Sequence, residues 1–131
     1  MAESVGKTRI SDVRTVGVPV ADQDRAVAFY VEKLGFEKRM DGEFGEGQRW
    51  VEVAPPGATT SIALERKDDA GQTGIDTQVR FATEDAAADH AELLGRGVDV
   101  DPQLIPFPVP MFAFRDADGN RLVIVEEPKN R

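Results

Sequence analysis

Between residues 13 and 20 the apolar side chains fall at every second position: Val16, Val18 and Val20 alternate with Gly17 and Pro19. A period of two marks a strand with one covered face. Beyond Asp22 the rhythm lengthens, and Ala26, Phe29, Tyr30 and Leu34 recur at helical steps. A helix over residues 22–34 is predicted, with Asp22 accepting the first free backbone N–H groups and Gly35 closing it in the left-handed conformation. Strands over residues 36–41, 49–53 and 60–66 follow, parted by the turn-forming stretches GEFGEG and APPG. The loop KDDAGQTG ends this half.

The same order then returns. Over residues 76–82, Val79 and Phe81 alternate with Gln78 and Arg80. Thr83 is expected to cap a helix with Ala87, Ala91 and Leu94 as its inner stripe, closed by Gly95 or Gly97. Strands at 98–104, 111–115 and 121–126 complete the half, the last two joined by the tight turn DADGN. The prolines of IPFPVP remove ladder donors, which places that stretch at an edge or in a loop. The chain thus reads as βαβββ written twice. Each half is too small to bury its own sheet, so it must pair with the other half or with a partner chain. The expected fold class is α+β. One domain spans residues 11–127, with modules at 11–66 and 75–127, a flexible terminus at 1–10 and a tail at 128–131.

Composition narrows the functions open to such a domain. A chain of 131 residues with 40% hydrophobic and 31% charged residues is an ordinary globular one. Its net charge of −8 repels phosphate backbones and anionic lipid, so neither nucleic acid nor membrane is an expected partner. No apolar run approaches the ~20 residues of a membrane span. The start MAESVGKTR lacks the apolar core of a signal peptide, which leaves the cytoplasm as the default compartment. There is no cysteine, hence no disulfide, thiolate ligand or thiol nucleophile, and the single histidine, His90, excludes any site needing two.

Two segments carry a resemblance: VPVADQDRAVAFYVEKLGFE near the start and FRDADGNRLVIVEE near the end. They resemble the D-x-x-R-A-x-x-F-Y-x-x-x-L-G-F and D-P-D-G-N patterns of the vicinal oxygen chelate superfamily, which includes glyoxalase I, bleomycin-resistance proteins and extradiol dioxygenases. With the repeat, the resemblance covers residues 11–127. It implies two βαβββ modules whose curved mixed sheet surrounds a central cup, and a homodimer. In metal-dependent relatives a divalent ion sits in the cup, held from the first and fourth strands of each module. Those positions fall here on Thr15, Ala63, Asp76 and Val123. Ala63 and Val123 offer no donor and Thr15 a poor one, while a catalytic divalent ion takes about three protein ligands. No metal or other cofactor is therefore expected, unless Glu52, Glu65 and Asp76 form an unusual ligand set.

Alternation predicts what lines the cup. If Val16, Val18 and Val20 face the helices, then Thr15, Gly17 and Pro19 face the cup. The same parity turns Gln48, Trp50 and Glu52 inward, then Ser61, Ala63 and Glu65, then Asp76, Gln78 and Arg80, then Met111 and Ala113, and finally Val123 and Val125. The candidate ligand-binding residues are Thr15, Trp50, Glu52, Ser61, Asp76, Gln78, Arg80 and Met111, an apolar wall beside a few polar groups. Each has a plainer reading. Trp50 is either a stacking surface or core packing. Glu52 is either a base or a solvated strand carboxylate. Arg80 either clamps a ligand carboxylate or pairs with Asp76 or Glu65. His90 reads as a solvated residue on the helix, and Phe107 of IPFPVP as a lid over the cup or a cover for an edge.

Two functions follow. The leading one is a bleomycin-resistance-like protein that binds a small, partly aromatic or cationic molecule without metal. The alternative is a glyoxalase-like enzyme of lyase, isomerase or dioxygenase type, using the unusual ligand set or Glu52 as its base, with a carboxyl pKa raised by crowding. The residues speak against a standard metal-dependent glyoxalase I or dioxygenase.

Overall fold

The first alternating stretch becomes strand β1 (Thr15–Val20), whose Val18 and Val20 are fully buried while Gly17 on the opposite face is exposed. The computed structural model describes residues 6–68 and 72–127, so part of the expected flexible terminus (1–5) and the expected tail (128–131) lie outside the described residues. Asp22 caps helix α1 (Gln23–Ala28), its side chain accepting the Arg25 N–H at 3.1 Å. The α-helix does not run on to Leu34. A wider π-helical turn spans Phe29–Lys33, which buries Tyr30 among the first module's core residues and lets Phe29 touch both cores. Gly35 closes it at φ +78°. Strands β2 (Glu37–Glu43), β3 (Arg49–Ala54) and β4 (Ser61–Arg66) complete a four-stranded sheet in the order β1-β4-β3-β2, with β1 parallel to β4. Edge strand β2 reads EKRMDGE and is exposed throughout, a charged edge that discourages pairing with other chains.

The second module repeats this order with β5 (Asp76–Thr83), α2 (Ala86–Gly95), β6 (Asp99–Val100), β7 (Met111–Arg115) and β8 (Arg121–Glu126), in the sheet order β5-β8-β7-β6. Three expectations shift here. Asp85, not Thr83, caps α2 by accepting the Ala88 N–H at 3.0 Å; the Thr83 hydroxyl instead accepts the Asp85 N–H and donates to Asp89. The buried residues of α2 are Ala86 and Leu93, whereas Ala87, Ala91 and Leu94 are exposed, Leu94 at 59%. The strand expected over 98–104 shrinks to two residues. Asp101 still donates its N–H to the Ala113 carbonyl, and then Pro102 has no N–H to continue the ladder.

The two modules meet through their covered faces. Val79 and Phe81 of β5 pack against the buried clusters of both modules. The Phe81 ring lies 5.2 Å from Phe36 and 6.4 Å from Phe114. Phe36 precedes β2, at the edge of the first sheet farthest from β1, and β5 packs against that sheet's covered face through Val79 and Phe81. By strand alternation the uncovered faces of the two sheets turn away from this shared core. The sheets do not close on one another within the chain.

The DADGN turn fastens the modules together. Tyr30 donates its hydroxyl to Asp116 Oδ2 at 2.8 Å, and Asn120 donates its amide to the same oxygen at 3.0 Å and to the Pro19 carbonyl at 2.8 Å. Asp116 Oδ1 accepts the N–H groups of Asp118 and Asn120, Asp118 accepts the Ala21 N–H at 2.9 Å, and Arg25 reaches the Ala117 carbonyl. Tyr30, Asp116 and Asn120 are all buried, and burial together with the Asp116 charge holds the Tyr30 hydroxyl protonated well above its usual range. A turn whose acids are all engaged in this way is a fastening between modules.

Candidate functional site

The uncovered face of the first module concentrates the predicted residues. On β3, Val51 and Val53 enter the core, which leaves Trp50 and Glu52 on the other face. On β4, Ile62 and Leu64 enter the core and leave Ser61, Ala63 and Glu65. Glu52 stands opposite Ala63, and Thr15 opposite Ser61, so these side chains form one patch.

Glu52 is its centre and is only 4% exposed. Its Oε1 accepts the Ser61 hydroxyl at 2.6 Å. Its Oε2 accepts the Trp50 indole N–H at 2.7 Å and the Arg14 guanidinium at 3.1 Å. Burial pushes the carboxyl pKa up, but the hydrogen bonds from Ser61 and Trp50 and the Arg14 charge outweigh it, and the net shift is downward. The expectation of a raised pKa therefore fails: three donors stabilise the ionised form more than crowding opposes it. Such a carboxylate is a poor proton acceptor near neutral pH. It serves better as an anchor for the indole.

The indole has an aromatic neighbour and borders two grooves. Phe44 meets it edge-on, ring centroids 5.8 Å apart at 81°. Met40 pairs across the strands with Glu52, and Gly42 with Trp50; with Glu43, Phe44 and Trp50 they line a groove of about 270 Å³. A second groove of about 260 Å³ lies between Trp50, Phe44, Gln48 and the Glu65–Lys67 end of β4.

The second module contributes a separate, more open face. Asp76, Gln78 and Arg80 are all exposed, and Met111 and Val123 are half-buried opposite the core residues Phe112, Phe114, Leu122 and Ile124. Gln78 has φ +65°, and the pairing of β5 with β8 slips between Asp76 and Arg80. Asp76 pairs with Arg121 at 3.4 Å rather than with Arg80. Trp50, Glu52, Ser61 and Thr15 are thus brought together, Asp76, Gln78, Arg80 and Met111 belong to the other module, and the two sets do not converge within the chain. His90 is half-buried rather than solvated: its Nε2–H donates to the Asp101 carbonyl at 2.6 Å and its ring stands edge-on to Phe112.

The donors on these faces do not suit a divalent ion. Among the described residues, no three histidine or carboxylate side chains gather closely enough to hold one. Of the four positions that the resemblance implies for a metal, Thr15 and Ala63 lie on one module and Asp76 and Val123 on the other, with Asp76 the only carboxylate among them. Glu52, a member of the unusual ligand set, is already engaged by three donors.

Sequence reasoning passed over Arg14, Met40 and Phe44. Phe44 sits in a glycine-rich turn, where no periodicity exists to show its direction. Met40 was legible in principle, since it shares parity with Gly42 on a strand paired to β3.

Comparison with known proteins places the chain. Residues 13–124 match the family model described as Glyoxalase/Bleomycin resistance protein/Dioxygenase superfamily. The uncharacterized protein YetH of Bacillus subtilis (strain 168) is 31% identical over 120 residues, covering 89% of this chain and 99% of that protein. Among solved structures, TnmS3, an antibiotic binding protein from Streptomyces sp. CB03234, is 37% identical with a TM-score of 0.79, over 92% of this chain and 98% of that one. A superfamily member from Sphaerobacter thermophilus DSM 20745 is 35% identical with a TM-score of 0.82, over 92% and 100%.

Proposed function

The chain belongs to the glyoxalase/bleomycin resistance protein/dioxygenase superfamily, and from that premise we propose that it is a metal-free binding protein for a small, partly aromatic molecule. The observation that carries this reading is the Trp50 indole, fixed through Glu52 by Ser61 and Arg14 and flanked by Phe44. A wall oriented before the ligand arrives loses little freedom on binding. The antibiotic binding named for TnmS3 supports a ligand of that kind. Ala63 and Val123, where metal-dependent relatives place ligands, favour a site that works without an ion.

The binding cup is completed in a homodimer, the Trp50 face of one copy meeting the Arg80 and Met111 face of its partner. The opposed directions of the two faces favour this, as do the exposed apolar residues Met40, Phe44, Ile105 and Phe107, the last 82% exposed. The enzymatic alternative with Glu52 as base is opposed by the three donors that hold that carboxylate ionised.

Elemental analysis of the purified protein, sedimentation, and titration of Trp50 fluorescence with planar aromatic compounds test the proposal together. The expected result is a dimer without stoichiometric metal whose Trp50 emission is quenched at saturation. A stoichiometric divalent ion would refute the metal-free reading, and a monomer that still saturates would refute the shared cup.

A further inference from the structure

Two carboxylates of the first module's uncovered face stand in opposite situations. Glu52 is surrounded by three donors. Glu65, two residues beyond Ala63 on the same face of β4, accepts no hydrogen bond among the described residues, and its cationic neighbour Lys67 stands 3.7 Å away with both side chains substantially exposed. Arg66 does not compete, because it turns to Asp68 at 3.0 Å. Glu65 lines the groove beside the Trp50 indole and also a second groove of about 420 Å³ formed with Gly17, Pro19 and Ile75.

The place of Glu65 depends on a missing side chain. Its carboxylate lies across β1 at Gly17, where an added Cβ would stand 2.6 Å from Oε2 and 3.3 Å from Cδ. Only glycine leaves room for the carboxylate to lie there.

We propose that Glu65, seated over the bare backbone of Gly17, reads a positive charge on the bound molecule, so that the site selects a planar aromatic cation over its neutral counterpart. The inference rests on the binding reading above and adds the ligand's charge to it. Trp50 supplies the flat surface, and Glu52 with Arg14 forms a pair whose charges offset one another. Among the described residues Glu65 accepts no hydrogen bond and has Lys67, at 3.7 Å, as its ion-pair partner. At the edge of a groove its attraction for a cation exceeds that in bulk water and weakens with salt. The ligand's cation takes the place of Lys67, whose long stem swings aside at small cost. The chain's net charge of −8 raises the local concentration of cations in the same sense.

The test uses proflavine, a planar aromatic cation, and acridone, a neutral molecule of similar outline. Trp50 is the single tryptophan, so its emission is the one indole signal that binding in its neighbourhood can quench. Proflavine should bind about tenfold more tightly than acridone at low salt, and Glu65→Gln should remove that preference while acridone binding stays within about twofold. Gly17→Ala should act in the same direction as Glu65→Gln by displacing the carboxylate. Lys67→Gln should act oppositely, raising proflavine affinity about twofold to threefold. Equal binding of the two probes, or a preference for proflavine that survives Glu65→Gln in folded protein, would overturn the charge-reading role and leave the binding reading standing. Quenching by neither probe would overturn both.

Discussion

Asp116 and Glu52 are both buried acids, each wrapped in hydrogen bonds, and they do opposite work. Asp116 joins Tyr30 of one module to Asn120 of the other, and its partners are sealed in the core. Glu52 holds the buried hydroxyl of Ser61 and the half-buried indole of Trp50, and the indole lines grooves that a small molecule can enter. Hydrogen-bonding chemistry alone does not separate a fastening from a site. What separates them is whether the groups that the acid positions remain reachable once it has positioned them.

The comparison breaks most visibly at Asp116. Asp116→Ala leaves the Tyr30 hydroxyl and the Asn120 amide without their acceptor in the core, and should cost about 3 kcal/mol of stability. Urea unfolding measures this, and a loss below about 1 kcal/mol would mean that the turn does not hold the modules together.

Glu52→Gln should cost less, about 1–2 kcal/mol, because an amide oxygen still accepts one of the bonds while the charge that strengthened them is gone. The emission of Trp50 should shift, since its N–H partner has changed. A pH dependence sharpens the point. The Glu52 pKa is lower in the folded chain than the value of about 4.3 usual for an unfolded one. Its stabilising contribution is therefore complete above that value and lost as pH falls through the lower folded pKa. The stability gap between the native protein and Glu52→Gln should stay constant from neutral pH down to about 5 and close on further acidification. A gap that widens with acid would show the carboxyl to be protonated in the folded state.

The smallest effect belongs to Phe44. An edge-on aromatic contact at a half-exposed position is worth about 0.5 kcal/mol, so Phe44→Ala should barely move the unfolding midpoint. It should nonetheless weaken proflavine binding severalfold, because it removes one wall of the groove. Equal binding by Phe44→Ala and the native protein would show that Phe44 only shelters the indole.

Much of the fold was legible in the chain. The change from period two at Val16–Val20 to helical spacing at Ala26–Leu34, and its return after Asp76, marked two equivalent modules, and strand parity picked out the core-cluster residues of β1, β3, β4, β7 and β8. The misreadings arose where local rules compete. Thr83 and Asp85 are both capping residues two positions apart, and choosing the wrong one shifted the expected inner stripe of α2 by a residue. Pro102 stopped a strand whose pattern ran on to Leu104. At the site, Trp50, Glu52 and Ser61 were placed on one face from parity alone. The state of Glu52 was not legible, because a carboxyl pKa answers to donors such as Ser61 and Arg14 that lie far away in sequence.

By itself the sequence determined which faces of the strands are apolar, where the first helix begins and which turns reverse the chain, since these depend on side chains a few positions apart. Only the tertiary structure decided that the covered faces of the two modules pack against one another and that the two sets of candidate residues stay apart within the chain. It also decided that Glu52 is bound by three donors while Glu65 has only Lys67, 3.7 Å away, among the described residues. Those outcomes depend on contacts between residues such as Phe36 and Phe81, or Gly17 and Glu65, that nothing local brings together.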